Sequence, residues 1–324
     1  DGRLTHKTGD KKITKDIPMP THSEAIAAVL DILVDPEYGV IKSVDEIDAV
    51  GHRVLHGGME FSDSCIINDE VIKAIEKCIP LGPLHNPANL MGIRACQAVM
   101  PKTPQVAVFD TAFHMTMPPK AYRYAIPKEY YENDDIRRYG FHGTSHKYVA
   151  QRAAAMLGKM VNCHLGNGSS LSAIQDGKCM DTSMGLSPLA GVPMGTRSGD
   201  IDACVVQFIC NKYNMSVDDC LTMLNKKSGM LALSGVSSDF RDLGEGADNG
   251  NEDCKLALEK FAYEVAKYVG AYAAALNGID VLTFTAGVGE NDCDVRAMVC
   301  AEYVSHCQTQ PAPNVTSHES DRSK

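Results

Sequence analysis

Two arginines in this chain stand among small residues, a setting that suits anion binding. Arg53 lies in His52-Arg53-Val54-Leu55-His56-Gly57-Gly58 and Arg197 in Met194-Gly195-Thr196-Arg197-Ser198-Gly199-Asp200. A guanidinium grips a carboxylate or phosphoryl group through two parallel N–H bonds, whereas an arginine that only solvates a surface needs no glycine neighbours. Taken singly, each is more often a structural residue. Asp110 ends the apolar run 105–109, where a carboxylate can orient an arginine or a metal-bound water, although a turn cap is the commoner role. His142 and His146 have the i,i+4 spacing of a metal pair. Gly143 and a helix cap at Thr144 put His142 ahead of the helix rather than on its face, which argues against zinc.

Two glycine-rich turns follow apolar strands. His164-Leu165-Gly166-Asn167-Gly168-Ser169-Ser170 offers backbone amides free of bulky side chains, and such a turn either cradles a phosphate or is a plain Asn-Gly hairpin. Gly287-Val288-Gly289-Glu290-Asn291 lets a ligand approach the backbone. It is not a dinucleotide fingerprint, because Asp292 stands where the third glycine would be. No Walker-type lysine loop occurs.

The elements that carry these residues alternate between helix and strand, which predicts an α/β architecture. Helices are expected over 22–33, from an N-cap at Asn68 to 79, from an N-cap at Asn86 to 100, from Thr144 to 157, and over 201–211, 217–224 and 253–276. Strands are expected over 47–56, 105–109, 160–165, 170–174 and 281–285, with a hairpin at Asp176-Gly177. The length of 324 residues suits two domains. The acidic balance, 31 Lys and Arg against 41 Asp and Glu, disfavours nucleic acid and anionic membranes as partners. No apolar stretch approaches the roughly 20 residues of a membrane span. The 12 cysteines contain no C-x-x-C pair and fit reduced thiols in a cytoplasmic protein. Asp1 reads as a cut end, and residues 305–324 read as a disordered tail.

Eight segments in order resemble the acetate kinase family. Besides the two arginine segments, the 164–170 turn and Phe284 to Asn291, they are Pro83-Leu84-His85-Asn86-Pro87, Phe109-Asp110-Thr111-Ala112-Phe113-His114, Tyr139-Gly140-Phe141-His142-Gly143-Thr144-Ser145-His146 and Ser238-Asp239-Phe240-Arg241-Asp242-Leu243. The match runs from about residue 16 to about residue 298. The resemblance implies two ribonuclease-H-like domains with mixed sheets flanked by helices around a central cleft, and reversible in-line phosphoryl transfer from ATP to acetate, giving acetyl phosphate and ADP. It implies Mg2+, a homodimer, and a boundary between an acyl-substrate domain over 1–111 and a nucleotide domain over 112–304. By the same resemblance Arg53, Asp110, His142 and Arg197 are catalytic, and Leu55, Leu84, His85, Phe141 and Pro188 form the acyl pocket. His164, Gly166, Asn167, Gly168 and Ser169 would hold phosphate, and Asp239, Phe240, Arg241, Gly287, Gly289, Glu290 and Asn291 the nucleotide. No metal ligand set is assigned. Leu55 stands where the family pattern often has valine, which predicts a slightly smaller pocket that prefers acetate to propionate; a propionate or butyrate kinase is the nearest alternative.

The chain also departs from the pattern. Nothing in residues 1–20 matches the family's opening strand and Asn-x-Gly-Ser-Ser-Ser-x-Lys loop, so the first domain is expected to be N-terminally incomplete. The segment after about residue 298 lacks the family's closing elements, and the connection at Gly158 is short. A chain truncated in this way is expected to be poorly soluble and to turn over little, behaving as a nucleotide-binding relative; a longer parent would be an ordinary family member.

Overall fold

A β-hairpin begins the computed structural model, which describes residues 2–83, 85–153 and 158–307. Strand β1 (Gly2–Thr8) pairs antiparallel with β2 (Lys11–Ile17) as a sheet of its own. No strand is expected there from sequence, because the half-buried positions of β1 are Gly2, Leu4, His6 and Thr8, of which Leu4 alone is a large apolar residue. Helix α1 (His22–Leu33) opens on a capping box, with Thr21 accepting from the Ser23 N–H and Glu24 accepting from the Thr21 N–H.

The second sheet carries the first arginine. Strand β3 (Val50–Val54) runs parallel to β5 (Gln105–Phe109), and β4 (Cys65–Ile66) lies antiparallel on the other edge of β5. Helices α2 (Asp69–Lys77) and α3 (Asn86–Val99) cover it, and Val54, Ile75, Ile93 and Phe109 form its core. Asn86 is not the N-cap expected from sequence. It is the first helical residue, after His85. Its buried side chain accepts from the His56 N–H at 3.2 Å and donates to the carbonyls of His56 and Ile75. A strand end needs these bonds more than the helix needs a cap, since His56 has left the ladder and its buried peptide must be satisfied.

Two short helices, α4 (Pro119–Tyr122) and α5 (Glu129–Asp134), lead to α6 (Gly143–Arg152). The expected cap at Thr144 is displaced by two residues. His142 takes the N-cap position with φ 58°, so the helix begins at Gly143. A side chain at Gly143 would overlap the Asp110 carbonyl oxygen, which is why the chain can pass so close there. The expected end of this helix, 154–157, lies outside the described residues.

The third sheet has the order β8-β7-β6-β9, with β6 (Lys159–Leu165), β7 (Ser169–Gln175), β8 (Lys178–Thr182) and β9 (Val281–Thr285). The Asp176-Gly177 hairpin forms as expected, with both residues at positive φ. Helices α7 (Ala203–Tyr213), α8 (Val217–Lys226), α9 (Gly229–Ser234), α10 (Phe240–Asp248) and the 25-residue α11 (Glu252–Leu276) follow. Helix α11 buries Phe261, Val265 and Val269 in a core shared with Cys163, Leu165 and Leu171 of the sheet. After β9 come α12 (Ala286–Asn291) and α13 (Cys293–Cys307). Residues 305–307, expected in the tail, therefore belong to a helix, and residues 308–324 lie outside the described ones. The protein is a mixed α/β fold of several sheets flanked by helices.

Candidate active site

Polar residues gather where the parallel strands end, the usual place for ligands in such sheets. The β3/β5 register sets Val54 beside Phe109, and the Asp110 N–H continues the ladder onto the Val54 carbonyl at 3.0 Å. Arg53 and Asp110 thus emerge from adjacent strand ends. Arg53 Nε donates to Asp110 Oδ1 at 2.9 Å and Nη2 to Oδ2 at 2.7 Å. Asp110 is 1% exposed whereas the Arg53 side chain is 67% exposed, so the carboxylate is a buried anchor and the guanidinium keeps an open face. The bonds to Asp110 hold the Arg53 pKa above its ordinary value.

His142 stands over the same anchor, its N–H 3.4 Å from Asp110 Oδ2. Its ring stacks on His164, with centroids 4.1 Å apart, and its Nδ1 lies 2.8 Å from Ser170 Oγ. His146 reaches the same hydroxyl through Nε2 at 2.9 Å. The two rings therefore turn to Ser170. Burial, then the His164 ring, Arg53 and Arg197, hold the His142 pKa well below its ordinary value. Burial also pushes His146 well down and His164 down to about 4. All three rings are neutral near pH 7.

Arg197 approaches from the loop before α7. Its Nη1 donates to the Pro188 carbonyl at 3.3 Å, leaving donors for a ligand. Burial and then the nearby Arg53 charge lower its pKa, and His85 is depressed by burial and by both arginines. The turn of the β6–β7 hairpin, Gly166-Asn167-Gly168, fits between these groups. A Cβ on Gly168 would sit 3.3 Å from Arg197 Nη1 and 3.4 Å from His142 Nε2. The absent side chain lets the turn, a guanidinium and an imidazole close on one another as a cradle. The Gly195 N–H donates to the Asn167 carbonyl at 3.0 Å, tying the Arg197 loop to this turn. Ser169 is buried and bonds back to the Gly166 carbonyl at 3.0 Å.

Beside the cradle, Leu55, Phe141, Met184 and Met194 form a small buried apolar cluster, and Pro188 is buried nearby. Leu84 lies outside the described residues. A cleft of about 970 Å³ opens on the other side of the hairpin turn, lined by Gly166, Asn167, Asp239, Phe240, Arg241, Gly287 and Asn291 among others. Asp239 caps α10 and holds exposed Arg241 in a two-pronged pair, Nε–Oδ1 3.0 Å and Nη2–Oδ2 2.6 Å. Phe240 meets the cleft but is 5% exposed, its ring packed edge-on against Phe261. Gly289 is buried; Glu290 accepts from the Thr285 hydroxyl and Asn291 donates to the Gly287 carbonyl.

Sequence reasoning passed over Asn89 and Asn162 and named Asn86, His146 and Ser170 without the roles that hold this site together. Asn89 accepts the Leu55 N–H at 3.0 Å and Asn86 secures His56, fixing the strand end that carries Arg53. Asn162, Ser170 and His146 stand behind His142. One available signal was Asn162 itself, an amide in the otherwise apolar strand Met160-Val161-Asn162-Cys163, since buried polar groups are nearly always bonded.

A model of the acetokinase family matches residues 1–321. An acetate kinase of Agathobacter rectalis is 59% identical over 309 residues, covering 93% of this chain and 78% of that protein. A solved acetate kinase of Porphyromonas gingivalis matches with a TM-score of 0.86 at 47% identity, covering 93% of this chain and 77% of that one. A propionate kinase of Francisella tularensis matches at 0.89 and 44% identity, covering 94% of this chain and 78% of that one.

Proposed function

The chain belongs to the acetokinase family, and from that premise we propose how its residues share the transfer of a phosphoryl group. The protein is an ATP-dependent phosphotransferase that converts acetate and ATP to acetyl phosphate and ADP. Such a reaction needs positioning and charge neutralisation more than a protein nucleophile. A carboxylate oxygen of acetate attacks the γ-phosphorus in line, and the bond to the bridging oxygen breaks with its electron pair leaving on ADP.

Arg53 and Arg197 hold the acetate carboxylate and the equatorial oxygens between them. Asp110 keeps Arg53 in place, and His142 donates from Nε2 to the phosphoryl as it passes. The methyl group of acetate packs against Leu55, Phe141 and Pro188, with His85 completing the pocket. Gly166 to Ser169 and His164 lie along the phosphates. The cleft between Asp239, Phe240, Arg241 and the segment from Gly287 to Asn291 takes the adenosine. The observation that supports this reading is the cradle at Gly168, where a guanidinium and an imidazole close on a glycine of the hairpin turn that leaves no room for a side chain.

Mg2+ fits this site as an ion delivered with the nucleotide. Among the described residues no three His, Cys, Asp or Glu side chains gather as a cage, but Mg2+ takes only one or two carboxylates when phosphates supply other ligands. The nucleotide's phosphates and water would hold it, since both Asp110 oxygens are engaged by Arg53, and it would neutralise charge on the phosphoryl oxygens.

The reading extends to the assembly. The acyl-substrate part spans 1–111 and the nucleotide part 112–304, supported by separate apolar cores on the second and third sheets. The protein is a cytoplasmic homodimer. Helix α7 supports a partner, since it buries none of its residues and leaves Phe208 and Tyr213 62% and 63% exposed. No described helix is long and apolar enough to cross a membrane.

Trapping acetyl phosphate with hydroxylamine, in the presence of acetate, ATP and Mg2+, tests the reading. Arg197→Ala is expected to lower kcat/KM by about 100-fold or more, the loss typical of removing one oriented donor to transition-state charge; an unchanged rate sinks the assignment.

A further inference from the structure

Behind His142 runs a chain of hydrogen bonds that reaches β9. The Thr283 hydroxyl donates to Asn162 Oδ1 at 2.8 Å, which turns the Asn162 Nδ2 hydrogens toward His146 Nδ1, also at 2.8 Å. His146 Nε2 and His142 Nδ1 then share one hydroxyl, that of Ser170, at 2.9 and 2.8 Å. Ser170 and Asn162 are fully buried, as is His146, so no water competes for these positions.

We propose that Asn162, His146 and Ser170 are positioning residues that fix His142 as its Nε2–H tautomer, the form whose free N–H faces the cradle over Gly168. The logic is a count of protons. An Asn Nδ2 only donates, so His146 Nδ1 must accept and its Nε2 must carry the ring proton. The Ser170 oxygen accepts a hydrogen bond from that N–H, and its single hydroxyl hydrogen is donated to His142 Nδ1. A neutral imidazole with an occupied acceptor at Nδ1 carries its hydrogen on Nε2. That nitrogen lies 3.4 Å from the position a Gly168 Cβ would take, beside Arg197 Nη1. The far end of the chain demands the same arrangement, because phosphoryl oxygens have only lone pairs to offer and an unprotonated Nε2 would repel them. Both ends therefore select one of the two proton patterns a shared hydroxyl allows. The β6–β7 register supplies the geometry, since it sets His164 opposite Ser170 and Asn162 opposite Ser172.

The inference rests on the reading of His142 as the phosphoryl donor only for its effect on rate; the tautomer itself is measured without turnover. The full chain, labelled with 15N at histidine, is observed by two-bond 1H–15N correlation at pH 7.5. His142, assigned by its loss in His142→Gln, is expected to show a protonated Nε2 and an unprotonated Nδ1, and the reverse pattern overturns the proposal. In Ser170→Ala the His142 ring is expected to populate the Nδ1–H form and kcat to fall about tenfold with the KM for ATP little changed, whereas Ser170→Thr restores both. A Ser170→Ala protein that keeps the wild-type tautomer overturns the relay. If the tautomers behave as stated while His142→Gln remains fully active, the relay stands and the catalytic role given to His142 falls.

Discussion

The carboxylate of Asp110 holds Arg53 by both oxygens, at 2.9 and 2.7 Å, while keeping 1% of its own surface exposed. A buried acid under an open base is an asymmetric pair. The acid cannot be solvated if the base is lost, and the base cannot hold its direction if the acid is lost.

The first prediction separates those two losses. Arg53→Ala leaves Asp110 without its charged partner and is expected to cost about 1–3 kcal/mol of stability, the range for stranding a buried hydrogen-bonding group. Asp110→Asn keeps a group of the same size and lets Arg53 swing, so kcat/KM is expected to fall about 100-fold or more with a smaller stability loss. Urea unfolding midpoints and the hydroxamate rate read the two effects; equal stability losses would contradict the asymmetry.

Acidification should weaken the fold through its buried histidines. Burial pushes His56, His114 and His164 down to about 4, below the value near 6.5 that they take when unfolded. Between those values the unfolded chain binds more protons than the folded one, so stability rises with pH. Their contribution is complete above about pH 6.5 and is lost as the pH falls toward 4. Urea midpoints at pH 7.5 and 5.5, at constant ionic strength, should drop at the lower pH; identical midpoints would show that these rings are not buried as described.

Gly195 backs the Gly166-Asn167-Gly168 turn so closely that a methyl group there would overlap Asn167 Oδ1. Gly195→Ala should therefore displace Asn167 and raise the KM for ATP several-fold, with the acetate KM less affected. Initial rates with each substrate varied in turn decide this. A rise confined to acetate would place the turn on the acyl side instead.

Leu55 belongs to the small apolar cluster beside the arginines. Its bulk predicts higher kcat/KM for acetate than for propionate, and Leu55→Ala should narrow that ratio by roughly 10-fold, as one or two methylenes' worth of pocket space allows. A wild-type preference for propionate would remove Leu55 as the gauge of chain length.

Much of the candidate site was legible through the family resemblance, because its residues lie in contiguous segments. Arg53, Asp110, His142 and the Gly166-Asn167-Gly168 turn all sit at strand or helix ends that hydrophobic periodicity and glycine placement mark out. The supports were harder to read because their roles are made by tertiary approach. Asn86 looks like a helix cap until the strand end of His56 arrives beside it, and Ser170 looks like one hydroxyl of a turn until His142 and His146 converge on it. The β1–β2 hairpin was illegible for a different reason, since strands with little apolar surface leave no period to detect.

Arg53 and Arg197 come from regions with separate cores, which meet at the cluster of Leu55, Phe141, Met184 and Met194. Like charges brought close repel, and the Arg53 charge adds to burial in lowering the pKa of Arg197. Four apolar side chains are a narrow seam to oppose that push. An anion seated between the two cations reverses its sign, so that the substrate becomes part of the mortar.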